Sequence, residues 1–197
     1  IRSSDDFFAG LDQKREDYLD FAEDYEPVKK FFHGDQLKIF DKALQYLKIY
    51  DDGKTYIVDE QIESTVSAMR AIMKKPAPYA EIKNLPELMD KFMQAYTALF
   101  TKMAEPILAA VEEARGRVLS ELDGKLCKAN LVDRFLARFR ELSDKAVATN
   151  NMAILQNVKT EADALKIRCL KEIADVESKL QAARAAQEAT AVKAAQQ

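Results

Sequence analysis

Few residues in this chain have types that could do chemistry, and most of them stand alone. Gly53-Lys54-Thr55 has the ending of a phosphate-binding loop. Such a loop wraps phosphates in backbone amides and needs a second glycine five residues earlier, after a buried strand. Lys48 occupies that place, inside a helical apolar stripe, so the three residues read as a turn. His33 is the one histidine. A single imidazole cannot build a multi-histidine zinc site, and no Ser or Cys carries a motif that pairs with it. Lying between Phe31-Phe32 and Gly34, it reads as the last residue of a helix, facing the negative end of the dipole. Glu112-Glu113 lacks the companion carboxylates of a glycosidase or di-metal site. Cys127 and Cys169 have neither a C-x-x-C spacing nor a neighbouring histidine, so they read as small core hydrophobes. No catalytic, metal or cofactor site is expected.

The charge pattern with the clearest direction is basic: Arg115, Arg117, Lys125, Lys128, Arg134, Arg138, Arg140 and Lys145. Arg134 and Arg138 stand one helical turn apart beside Phe135 and Phe139, and planar guanidinium groups suit phosphate oxygens. Lys128, Arg134, Arg138 and Lys145 are therefore the candidate nucleic-acid-binding residues. An exposed face whose arginines lay their stems along apolar surface gives the same pattern. The whole chain has net charge -3, which gives no general reason to expect nucleic acid or a membrane surface as partner. Residues 5–26 are the acidic extreme, with only Lys14 and Arg15 against a run of carboxylates. They read as a solvated face.

Helices must position all of this. The 197 residues include five Gly, five Pro and no Trp, less than half the usual share of Gly and Pro. That scarcity excludes a sandwich, a barrel or a Gly-rich nucleotide fold. Ser4 or Asp5 caps a first helix with the stripe Phe7, Leu11, Tyr18, Ala22 and Tyr25. A helix over 36–50 carries two stripes: Leu37, Phe40, Leu44 and Leu47, then Ile39, Ala43, Tyr46 and Tyr50. It belongs at the centre of a bundle. Asp51-Asp52-Gly53 reads as a turn, and Asp59 caps a third helix with Ile62, Val66, Met69 and Met73.

Lys75-Pro76-Ala77-Pro78 marks a boundary, and Pro86 opens a long helix to Gly124. Its stripe is Leu88, Phe92, Tyr96, Leu99, Met103, Ile107, Ala110, Ala114, Val118 and Leu122, interrupted by Pro106, which should kink it. The steps follow an 11-residue repeat of about 3.67 residues per turn. A helix over 129–148 follows, then a fresh cap at Thr149-Asn150-Asn151. The last helix has the stripe Leu155, Val158, Ala162, Leu165, Cys169, Ile173, Val176, Leu180 and Ala183, then an Ala-rich tail with little to bury.

Several of these segments look familiar together: Phe31-Phe32-His33-Gly34-Asp35-Gln36, Ile39-Phe40-Asp41-Lys42-Ala43-Leu44 and Leu47-Lys48-Ile49-Tyr50. So do Pro78-Tyr79-Ala80-Glu81-Ile82, Leu85-Pro86-Glu87-Leu88 and Arg117-Val118-Leu119. Over about 25–122 the chain resembles the C-terminal helical part of the large P-loop ATPase subunit of BREX bacteriophage-defence systems. The resemblance implies a piece of a much longer bacterial cytoplasmic protein. The family's ATP-binding residues lie elsewhere in that parent and have no counterpart here.

The expected fold is all-α: an N-terminal helical bundle over 1–75, a Pro-containing linker over 76–85, and long antiparallel, coiled-coil-like helices over 86–197. The expected function is a non-catalytic interaction or assembly module. Its partners would be other parts of the parent, subunits of a defence complex, or another copy of itself. The alternative is a nucleic-acid-contacting arm. No apolar run approaches the roughly 18 residues of a spanning helix. No secretory signal opens the chain at Ile1-Arg2-Ser3-Ser4-Asp5-Asp6, so the expected location is the reducing cytoplasm. The missing initiator Met is expected of a piece of a longer protein or a processed chain.

Overall fold

The computed structural model describes residues 15–74 and 79–197. Every regular element within them is helical. They are α1 (Arg15–Glu23), α2 (Glu26–Lys29), α3 (Gly34–Gly53), a 3-10 turn (Lys54–Tyr56), α4 (Glu60–Lys74), α5 (Tyr79–Ile82), α6 (Leu85–Leu122), α7 (Lys128–Ala148) and α8 (Met152–Ala195). The all-α expectation holds. The caps at Ser4 or Asp5, with Phe7 and Leu11, lie outside the described residues, as does Lys75-Pro76-Ala77-Pro78.

Two compact units divide the chain. The first takes the described residues up to Ala104 and Ala148–Leu155; the second takes Glu105–Val147 and Gln156–Gln197. The sequence reading placed its division over 76–85. Within that range Tyr79–Ile82 form α5, and Ile82 and Leu85 are buried with the first unit. The division of the compact units falls inside α6, beside Pro106, through which the helix continues.

In the first unit α3 is central. Phe40, Ala43, Leu44, Tyr46, Leu47 and Ile49 are all buried, covering most of its circumference, as two stripes require. Ile62, Val66, Met69 and Met73 of α4 are buried as one stripe. The Asp59 carboxylate caps that helix by accepting from the Ile62 amide at 2.9 Å. From α6, Leu85, Met89, Phe92, Tyr96 and Phe100 complete the core. Its aromatic column runs Tyr46–Phe92, Phe92–Tyr96 and Tyr96–Phe100, at centroid separations of 5.9, 5.4 and 6.1 Å.

Asp51-Asp52-Gly53 is not a turn; α3 runs through it. Lys48 pairs with Asp52 and Lys54 with Asp51, so both carboxylates are held on the helix rather than turned to its amides. Gly53 is there for proximity: a Cβ would stand 2.7 Å from the Met152 Cβ. The chain turns three residues later, in the 3-10 turn. Gly34, at φ +61°, takes the left-handed conformation that favours glycine.

In the second unit the core is Ile107, Val111, Ala114, Val118 and Leu122 of α6, Leu131, Phe135 and Phe139 of α7, and Val158, Ala162, Leu165, Cys169 and Ile173 of α8. The α6 stripe holds at Phe92, Tyr96, Ile107, Ala114, Val118 and Leu122 and shifts at four positions. Across the helix Leu85, Met89, Phe100 and Val111 are buried, while Leu88, Leu99, Met103 and Ala110 are half-buried on its flanks. A strip of apolar residues wider than one column does not by itself say which column is deepest. From Gln181 onward every residue is exposed, although the helix persists to Ala195.

Glu177 joins the α8 stripe in place of Val176. It is buried, and its two carboxylate oxygens accept from the Leu126 amide at 3.0 Å and the Cys127 amide at 3.4 Å. It thus caps the entry to α7 from another helix.

Leu44→Ala should destabilise the chain by about 2–5 kcal/mol in a urea titration, because Leu44 has no exposed surface to relax into. A loss under ~0.5 kcal/mol would place α3 at the periphery. Glu177→Ala should cost about 1–3 kcal/mol by stranding two amides. No measurable loss would mean that water replaces the carboxylate.

Candidate functional site

The candidate basic residues lie on the flanks of apolar stripes, where helical spacing puts them. On α7, Arg134, Arg138 and Lys145 border the buried Phe135 and Phe139. On α8, Glu161, Arg168 and Glu172 border the buried Leu165 and Cys169. Antiparallel packing brings these flanks together as a seam of charge. Arg134 donates to Glu172, and the Arg138 guanidinium lies 3.7 Å from the other oxygen of the same carboxylate. Lys145 Nζ donates to both oxygens of Glu161, at 3.0 and 3.3 Å. Lys128 sits apart at the entry to α7, paired with Asp123 at 3.3 Å. Three of the four candidates are therefore brought to one seam, and all four face carboxylates of this chain. Each exposed pair contributes about 0–1 kcal/mol, so the pairs fix helix register more than stability.

Beside the seam is a cleft of about 470 Å³, lined by Arg138, Glu141, Leu142, Lys145, Glu161 and Arg168 among others. Arg168 has no carboxylate within ion-pair distance among the described residues. Arg140 faces a different cleft, with Glu112, Arg115 and Ser143.

The other singled-out residues are explained by packing. Lys54 is exposed and pairs with Asp51, and Gly53-Lys54-Thr55 follows a helix rather than a strand. His33 is exposed and stands at the start of α3, not at a helix end. The reason is that α2 stops after one turn at Lys29, and the left-handed Gly34 opens the next helix. Glu112 pairs with Arg115 at 3.2 Å. Cys127 and Cys169 are buried free thiols, and burial pushes both upward from the ordinary thiol range, against a nucleophilic role. Among the described residues no three His, Cys, Asp or Glu side chains gather to hold a metal ion, and no helix is long and apolar enough to cross a membrane.

Glu172, Glu177 and Arg168 were absent from the sequence reading of function. Their signal is weak but present: Glu161, Arg168 and Glu172 recur at seven and four residues along α8, one flank of its stripe.

Residues of a serine–tRNA ligase from Campylobacter concisus (strain 13826) are 32% identical over 79 positions. The match covers 40% of this chain and 19% of the ligase, so the chain spans a small part of that relative. No solved structure matches. Residues 1–54 match the family described as the BREX ATP-binding protein BrxC alpha helical domain, and residues 114–176 match the BrxC seventh domain. Two separate stretches, at opposite ends of the chain, thus lead to one family, and the chain is a helical region derived from BrxC.

Proposed function

We propose that this chain is a non-catalytic helical interaction or assembly module of a BREX ATP-binding protein, working in the cytoplasm and carrying no cofactor of its own. Its partners are other parts of that protein, other subunits of the defence complex, or another copy of itself. One observation carries the reading: both matched stretches belong to BrxC, and the only phosphate-loop-like residues here are held by helix packing at Gly53. The described surface offers charged seams and helix faces, which suit docking.

A second reading is the nucleic-acid-contacting arm at Lys128, Arg134, Arg138 and Lys145, supported by the single α7 flank that carries Arg134, Arg138 and Lys145, beside a partial likeness of the chain to an enzyme whose name includes tRNA. Phosphates would have to displace Glu172 and Glu161 from these cations.

Two experiments test these readings. The purified chain should capture the remaining segments of its parent or other defence subunits, and should show no ATP turnover. Turnover that follows the chain through purification and disappears in Lys54→Ala would overturn the non-catalytic reading. For the arm, binding of labelled duplex or single strands at low salt should fall steeply with salt, and Arg134→Ala/Arg138→Ala should lower the slope by about two units. Absence of binding at low salt would sink the arm; binding unchanged by the double substitution would place it on another surface.

A further inference from the structure

The first unit presents a helix whose outer face matches the seam of the second in charge, length and apolar content. On α1, Glu16, Leu19, Asp20 and Glu23 follow the three- and four-residue spacing of a single face, and all four are exposed. Leu19 keeps 54% of its surface in the middle of this acidic stripe. Among the described residues no cation lies within ion-pair distance of Glu16, Asp20 or Glu23. Together these four residues give α1 one acidic face with an apolar centre.

The cleft beside the α7–α8 seam has the complementary make-up. Leu142 and Leu165 lie in it, with Arg138, Lys145 and Arg168 around them. Glu172 serves two guanidinium groups, and Arg168 has no carboxylate at all among the described residues, so the seam has positive charge left over. At 1.5 Å per residue, Glu16 to Glu23 spans about 10 Å, and Arg138 to Lys145 about 10 Å. We propose that α1 of a second copy of this chain docks in this cleft, seating Leu19 against Leu142 and setting Asp20 and Glu23 among Arg138, Lys145 and Arg168. The inference rests on the assembly reading and names the partner.

A helix is favoured over a nucleic-acid strand because Glu141, Glu161 and Glu172 stand among the cations. A uniformly charged phosphate backbone meets each of them as repulsion, whereas carboxylates spaced by helical turns can alternate with them. The two faces are different surfaces, so the contact is heterologous.

The test is sedimentation velocity on the full 197-residue chain over a range of concentrations. At low salt the average mass should rise with concentration, and at ~1 M salt, where the Debye length is about 3 Å, it should return to the monomer. Arg168→Glu and Asp20→Lys should each weaken association by about tenfold, and a chain bearing both changes should regain it. Leu19→Asp, on an exposed position, should abolish association with helicity unchanged. A monomer at every concentration in low salt overturns the proposal, as does association indifferent to Arg168→Glu and Leu19→Asp. So does a monomeric chain that holds labelled duplex DNA and releases it in Arg168→Glu, which would assign the cleft to phosphates. If the chain stays monomeric yet captures other segments of its parent, self-docking fails while the assembly reading stands.

Discussion

One buried hydrogen bond crosses the core of the first unit. The Tyr96 hydroxyl, buried in the aromatic column, donates to the backbone carbonyl of Asn150 at 2.6 Å. A phenol so placed without a partner would cost its full desolvation penalty, and burial pushes its ionisation well up, so it stays a donor. Asn150 lies just past the end of α7, where carbonyls lack the amide of a following turn. The contact ties the aromatic column of α6 to the chain that connects α7 and α8. With Asn150 fixed, the Asn151 side chain accepts from the Ala153 and Ile154 amides and starts α8, and Met152 comes down on Gly53. A helix start, a glycine and an aromatic stack meet at this contact.

The second unit is organised differently. Its core is a regular set of apolar columns, which would tolerate sliding by a helical turn. What removes that freedom is polar and directional: Glu177 can reach the Leu126 and Cys127 amides in one register, and Glu172 and Glu161 meet Arg134, Arg138 and Lys145 in that same register. Weak pairs are enough for this, because the alternatives leave buried amides unsatisfied.

Much of this was legible in the residues. The caps at Asp59 and Asn151, the two-sided α3 and the α4 stripe follow from local rules, because each is decided within about one helical turn. What escaped is decided by distant chain. Gly53 looks like a turn residue until Met152 arrives over it; Glu177 looks like an ordinary surface acid until the α7 entry needs its oxygens; His33 looks like a helix end because nothing local says that α2 lasts a single turn. The basic face was readable as residues but not as a seam. The carboxylates opposite Arg134 and Lys145 are 38 and 16 residues away in sequence, and periodicity carries no pairing information.

Those separations also grade the entropy that each contact must overcome. Between α7 and α8 they widen steadily from the short connection at Thr149-Asn150-Asn151: 16 residues for Lys145 with Glu161, 38 for Arg134 with Glu172, and 51 for the Leu126 amide with Glu177. The entropy of closing a loop rises with its length, so the pairing nearest the connection costs least, and each contact in place shortens the loop left for the next. The closure cost within the hairpin of α7 and α8 is therefore smallest at its connected end. The cap at Glu177 closes the longest of these loops.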